Sequence, residues 1–122
     1  MEKMVSPGLS QTEILRSELA FPHSALNTIA LRLYMPDSDV QTVRAAVTSV
    51  INGNDIFSAA LRNEDGNWLW EPGGRAVPEC TIQPSLPREI LEQEMAVQEQ
   101  QPMDFPDTLC IPEVIPLEEG GT

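Results

Sequence analysis

Thr28-Ile29-Ala30-Leu31-Arg32-Leu33-Tyr34-Met35 decides the fold class. Successive side chains of an extended chain point to opposite faces, so Ile29, Leu31, Leu33 and Met35 share one face and Thr28, Ala30, Arg32 and Tyr34 the other. A period of two predicts a half-buried strand, the clearest in the chain. The sequence then changes period. Pro36-Asp37-Ser38-Asp39 makes a turn in which Ser38 or Asp39 can cap a helix, and Val40, Val43, Val47, Val50 and Ile51 follow at helical spacing until Asn52-Gly53 stops it. A strand feeding directly into a helix predicts an α+β fold.

On the N-terminal side, Ser10-Gln11-Thr12-Glu13 fits a capping box that opens a short helix through Leu19. Phe21-Pro22 closes it, because the residue before proline avoids helical geometry. On the C-terminal side, Phe57–Arg62 and Trp68–Glu71 read as a hairpin around Asn63-Glu64-Asp65-Gly66-Asn67, since Asp-Gly supplies the positive φ that a tight turn needs. A loop with Gly73-Gly74 follows, then a short strand at Cys80–Gln83. Ser85 to Gln100 predicts a helix with Leu86, Ile90, Leu91, Met95 and Val97 inward. Leu109–Leu117 alternates weakly, but Pro112 and Pro116 cannot donate to a ladder, so an edge or distorted strand is expected there. The Glu119-Gly120-Gly121-Thr122 tail is expected to fray.

The chain has 122 residues, 41% of them hydrophobic, which is enough for one core, so residues 1–122 are read as a single domain. Its 19 acidic and 7 basic residues give a net charge of -12, which opposes nucleic acid and anionic membrane surfaces as partners. Cys80 and Cys110 lie in separate segments without a CxxC pair, so neither a zinc site nor a redox motif is expected and both read as buried reduced thiols. With no leader-like apolar run at the start and no membrane-length apolar stretch, the expected address is the cytoplasm.

Candidate chemistry is sparse. His23 is the only histidine, and a single turn histidine with no partner in sequence reads as a loop residue before it reads as a base or ligand. Trp68 and Trp70, two apart on a strand, share a face that either packs between elements or anchors a partner. Glu64-Asp65, Glu92 with Glu94, and Glu118-Glu119 lie on a turn, an outer helix face and a tail, and read as solvated surface. GxSxG, HExxH, phosphate-loop and calcium-loop patterns are all missing. No catalytic residue, cofactor site or metal site is therefore assigned.

Four stretches resemble a known family. Leu9-Ser10-Gln11-Thr12-Glu13-Ile14-Leu15-Arg16-Ser17-Glu18-Leu19 looks like the opening motif of the condensation domains of nonribosomal peptide synthetases, members of the chloramphenicol acetyltransferase-like superfamily. Pro22-His23-Ser24-Ala25-Leu26-Asn27 is similar to the following loop, with Leu26 replacing the usual aromatic residue before Asn27. Asn52 to Leu61 resembles the second motif, Arg-His-Glu-x-Leu-Arg-Thr, with Asn54-Asp55 in place of His-Glu. Ser58 stands where the family has an arginine that braces the active-site aspartate, which puts a conventional site in doubt. Gln101-Pro102-Met103-Asp104-Phe105-Pro106-Asp107-Thr108-Leu109 looks like the Pro-Phe-Asp-Leu segment.

The resemblance implies the N-terminal subdomain of a condensation domain, truncated before the strand that would carry His-His-x-x-x-Asp-Gly. Its fold would be a chloramphenicol acetyltransferase-like half-domain, a mixed or mostly antiparallel sheet of about four to six strands packed by about three helices. The parent would form an amide bond between carrier-bound thioesters, with carrier domains and the remaining synthetase domains as partners. Phosphopantetheine would sit on the carriers and no cofactor on this chain. Because the opening motif begins so close to Met1, the parent is expected to start with this domain. The isolated chain is expected to be inactive, and its unpaired edge strand invites a homodimer. Two other readings stand beside this one: a stand-alone acidic α+β interaction module using Trp68 and Trp70, and the first lobe of another acyltransferase of the superfamily.

Overall fold

The computed structural model describes residues 4–22, 24 and 27–122. Their elements are α1 (Leu9–Ala20), α2 (Val40–Asn52), a 3-10 turn (Asp55–Ser58), β1 (Ala60–Glu64), β2 (Asn67–Glu71), β3 (Thr81–Ile82), α3 (Arg88–Gln98) and β4 (Glu113–Val114). The class is α+β, as expected. The four strands form two separate pairs, β1-β2 antiparallel and β3-β4 parallel, in place of one sheet of four to six strands.

α1 starts two residues earlier than the sequence predicts. Gly8 is its N-cap, and the Gly8 N–H donates to Gln11 Oε1 at 3.0 Å, so Gln11 satisfies an N-terminal group and Ser10 stands exposed inside the first turn. α2 agrees with expectation. Of the two candidate caps, Asp39 is the one used: its Oδ1 accepts from the Thr42 N–H at 2.8 Å and its Oδ2 from the Thr42 hydroxyl at 3.1 Å. Ile51 is buried from this helix, while Val50, expected inward, is exposed.

The hairpin forms where expected, with Asp65 at φ 52° and Gly66 at φ 87° in its turn, which pairs Leu61 with Trp70 and Asn63 with Trp68. Phe57 and Ser58 belong to the 3-10 turn before it and not to the strand. α3 begins at Arg88 and not at Ser85. Proline at 87 keeps Leu86 out of helical geometry, and Leu86 bridges Leu117 instead. Ile90 and Val97, both expected inward, are exposed, because little packs over α3 on that side.

At the C-terminus one expectation agrees, a short edge strand at Glu113–Val114 within Leu109–Leu117, and one is corrected. The prolines of Leu109–Leu117 cannot donate, yet the Pro112 carbonyl accepts from the Thr81 N–H at 3.3 Å and the Pro116 carbonyl from the Leu86 N–H at 3.2 Å. The segment therefore runs beside β3, and Val114 and Leu117 are buried. Nor does the tail fray: the Leu117 N–H donates to the Gly121 carbonyl at 3.0 Å, and both Glu119 carboxylate oxygens accept from the Arg88 N–H, at 3.1 and 3.2 Å, closing the N-terminus of α3.

The core is small. Leu15, Ile51, Ala59, Ala60, Leu61, Cys80, Val114 and Leu117 are its buried apolar residues, drawn from α1, α2, the hairpin and the β3-β4 pair. Among the described residues, the expected strand at 28–35 has no sheet partner along its length. Its one pairing is at the end, where Met35 exchanges hydrogen bonds with Thr122.

Candidate functional site

Two junctions gather the residues singled out in the sequence. At the first, Val5 lies antiparallel against β2, its N–H donating to the Trp70 carbonyl at 2.8 Å and its carbonyl accepting from the Trp70 N–H at 2.7 Å. The Trp70 indole N–H donates to Gln11 Oε1 at 3.2 Å, the same oxygen that caps Gly8. One side chain thus holds the start of α1 and pins the hairpin to it. Trp68 and Trp70 share a face of β2 and are both half-buried, which is how aromatic rings between elements behave.

The second junction surrounds the 3-10 turn. Asn54 Nδ2 donates to the Val50 carbonyl at 2.7 Å, and the Ser58 hydroxyl donates to the Asp55 carbonyl at 3.1 Å. Asn54, Asp55 and Ser58 therefore fasten the turn to itself and to the end of α2. Gly74 then passes directly over β1: a Cβ there would stand 2.8 Å from the Ala60 Cβ and 2.9 Å from the Glu71 carbonyl, so only glycine fits without a shift. That close approach delivers Arg75, whose N–H donates to the Ser58 carbonyl at 3.1 Å and whose Nη1 donates to the Asp107 carbonyl at 3.4 Å. Its Nε is buried without an acceptor among the described residues. Burial pushes the neighbouring Cys110 thiol up, with the Arg75 charge opposing, so this cysteine is held as the thiol and is a poor nucleophile.

Asn27 is elsewhere, its Nδ2 donating to Glu18 Oε1 at 3.1 Å and tying its loop to α1. His23 lies outside the described residues. Among the described residues, no group of His, Cys, Asp and Glu side chains is arranged to hold a metal ion. No described helix is long and apolar enough to cross a membrane. Arg75 was missed in the sequence; the signal for it was the Gly73-Gly74 pair just before it, which marks a close backbone approach.

The arrangement of helices, hairpin and parallel pair matches the crystal structure of the starter condensation domain of rhizomide synthetase RzmA with a TM-score of 0.67, at 22% identity, over 84% of this chain and 26% of that one. The fold is condensation-domain-like. A doubly substituted form of the same domain, in complex with C8-CoA and Leu-SNAC, matches with a TM-score of 0.67 and 20% identity over 83% of this chain and 24% of that one. This chain spans about a quarter of the condensation-domain structures it matches. No family model matches the sequence, and no curated protein does. Within this condensation-domain-like fold, Gln11, Asn27 and Asn54 make bonds that join or cap elements, and the Ser58 hydroxyl bonds the Asp55 carbonyl within the 3-10 turn. None of these bonds sets a proton acceptor beside a nucleophile, which acyl transfer requires.

Proposed function

We propose that this chain is the N-terminal part of a condensation domain of a nonribosomal peptide synthetase. The observation that carries the reading is the superposition over 84% of the chain on part of a starter condensation domain, in an element order that fits the four motif stretches. The parent would join an acyl or peptidyl thioester to an aminoacyl thioester held on phosphopantetheine arms. Carrier domains and the other synthetase domains would be its partners, in the cytoplasm. The matched domain is a starter domain and has been captured with C8-CoA, so a starter acyl group is the favoured donor class.

Amide formation from a thioester needs a group to take the amine proton and donors aimed at the developing oxyanion. In this reading both come from chain beyond residue 122, from a strand bearing His-His-x-x-x-Asp-Gly. The present residues supply a wall: α1 and the hairpin locked by Gln11, and the Ser58 corner where Arg75 keeps one buried donor open.

The coding sequence tests this directly. A continuation into His-His-x-x-x-Asp-Gly followed by the second lobe supports the reading, and a stop codon after Thr122 overturns it in favour of a stand-alone module. Incubation of the isolated chain with C8-CoA and Leu-SNAC, followed by mass spectrometry, is expected to yield no enzyme-dependent amide. Catalysed amide formation would show that the chain holds machinery this reading places elsewhere.

A further inference from the structure

α2 and α3 are of similar length, 13 and 11 residues, yet only one of them holds itself together. α2 carries its own cap, Asp39, and buries Ile51. α3 has neither: its N-cap position is Pro87, whose side chain offers no acceptor, and none of its residues is buried. Leu91 and Met95 are half-buried, and Val97 is 63% exposed. A helix of this length without a buried face is marginal in water, where isolated helices need about 12–15 residues or more to form.

The charges of α3 also oppose it. A helix favours negative charge at its N-terminus and positive charge at its C-terminus. Glu89 suits the first turn, but Arg88 stands first in the helix, the last turn has no basic residue, and Glu99 occupies the C-cap. Arg88 Nε reaches Glu92 Oε1 at 3.5 Å, in the Arg-before-Glu order that runs against the dipole. Each adverse charge is met from outside the helix. At the N-terminal end, the Arg88 guanidinium lies 4.2 Å over the Tyr34 ring, and the Arg88 N–H donates to both oxygens of the Glu119 carboxylate. At the C-terminal end, Arg32 forms an ion pair with Glu99. The Arg32 and Glu99 side chains are 46% and 27% exposed, so salt reaches and screens the pair.

We propose that α3 is a conditional helix, clasped by Arg32 and Tyr34 from one segment and by Glu119 from the tail, which melts as a unit while the rest of the fold stays intact. A rise in ionic strength weakens these clasps, and no buried residue of α3 compensates for their loss. Release bares Leu91 and Met95 and uncovers the Arg32 and Tyr34 side of residues 28–35. Ionic strength thereby sets whether that side of the segment is a covered or an open surface. The inference rests on the capping, charge and burial of α3, so it stands or falls apart from the condensation reading.

Amide hydrogen exchange of the 122-residue chain, read residue by residue by NMR at one pH, tests this, because salt moves the two kinds of opening in opposite directions. Screening relieves the self-repulsion of a chain of net charge -12, which makes global unfolding rarer, while it loosens the clasps of α3. Raising sodium chloride from about 0.05 M to about 1 M is expected to speed exchange at Leu91–Gln98 by about tenfold and to leave Val43–Ile51 of α2 unchanged or slower. At the lower salt, Glu119→Ala and Arg32→Gln are each expected to speed the α3 amides by about threefold, with α2 unchanged, and to blunt the response to salt. Exchange in α3 that slows with α2 as salt rises, or that ignores both salt and the two substitutions, overturns the proposal. Acceleration of α2 and α3 by the same factor in either variant overturns it as well, since α3 would then open only with the whole fold.

Discussion

The hairpin and the 28–35 segment are both read from the sequence as strands and end in opposite states. The first is announced by its Asp-Gly turn and the second by its alternation, yet Leu61 in the hairpin is 8% exposed and Leu31 in the other is 80% exposed. The difference lies in the partner. Asp65-Gly66 folds β2 back on β1 across two residues, whereas, among the described residues, the 28–35 segment pairs only with Thr122, at one end. Alternation specifies which side chains share a face; a strand's stability comes from the neighbour that covers it.

Mutations can break that contrast, and the largest effect belongs to the covered side. Leu61→Ala is expected to cost about 2–5 kcal/mol through the lost burial and the cavity left behind, read as a lower urea midpoint. Gly74→Ala is expected to cost about 1–3 kcal/mol, since its Cβ meets Ala60 and the Glu71 carbonyl within van der Waals distance. Gln11→Ala removes one acceptor from two donors and is expected to cost about 1 kcal/mol, together with a shift in tryptophan emission as Trp70 loses its indole partner.

A smaller effect is expected beside the uncovered segment, at Asp39. The Thr42 N–H and hydroxyl hold its carboxyl below the ordinary value of 3.8. A folded value below the unfolded one means that this contribution is present above about pH 3.8 and is lost as pH falls through the folded value. Asp39→Asn, which can still cap, is expected to leave neutral-pH stability nearly unchanged and to remove this part of the acid sensitivity in thermal melts. Smallest of all, Leu31→Ala is expected to shift stability by no more than about 0.5 kcal/mol in the 122-residue chain. A shift comparable to that of Leu61→Ala would mean that Leu31 is covered in solution.

Local chemistry was the legible part of the fold. Asp39 at the start of α2, Asn52-Gly53 at its end and Asp65-Gly66 in the hairpin all announced themselves, because each acts within a few residues of itself. Long-range roles were not legible. The Pro112 and Pro116 carbonyls became acceptors for β3 and Leu86 only once a distant segment lay beside them, and Glu119 became the cap of α3 from 31 residues away. The site divides in the same way. Gln11, Asn54, Asp55 and Ser58 were visible as motif positions, but the bond from Trp70 to Gln11 spans 59 residues, and nothing local in the sequence foretells it.

The parallel pairing of Thr81 with Glu113 has a consequence for how the molecule is made. Closing a loop on the order of thirty residues costs about 2 kcal/mol more entropy than closing a tight turn, so this pair should join late in folding while the hairpin zips early. Val114 and Leu117 lie near the end of the chain and supply buried surface beside Ile51 and Cys80. On the ribosome, a nascent chain can therefore coil α1 and α2 and form its hairpin with its interior still open. It seals only when residues 113–117 have cleared the exit tunnel.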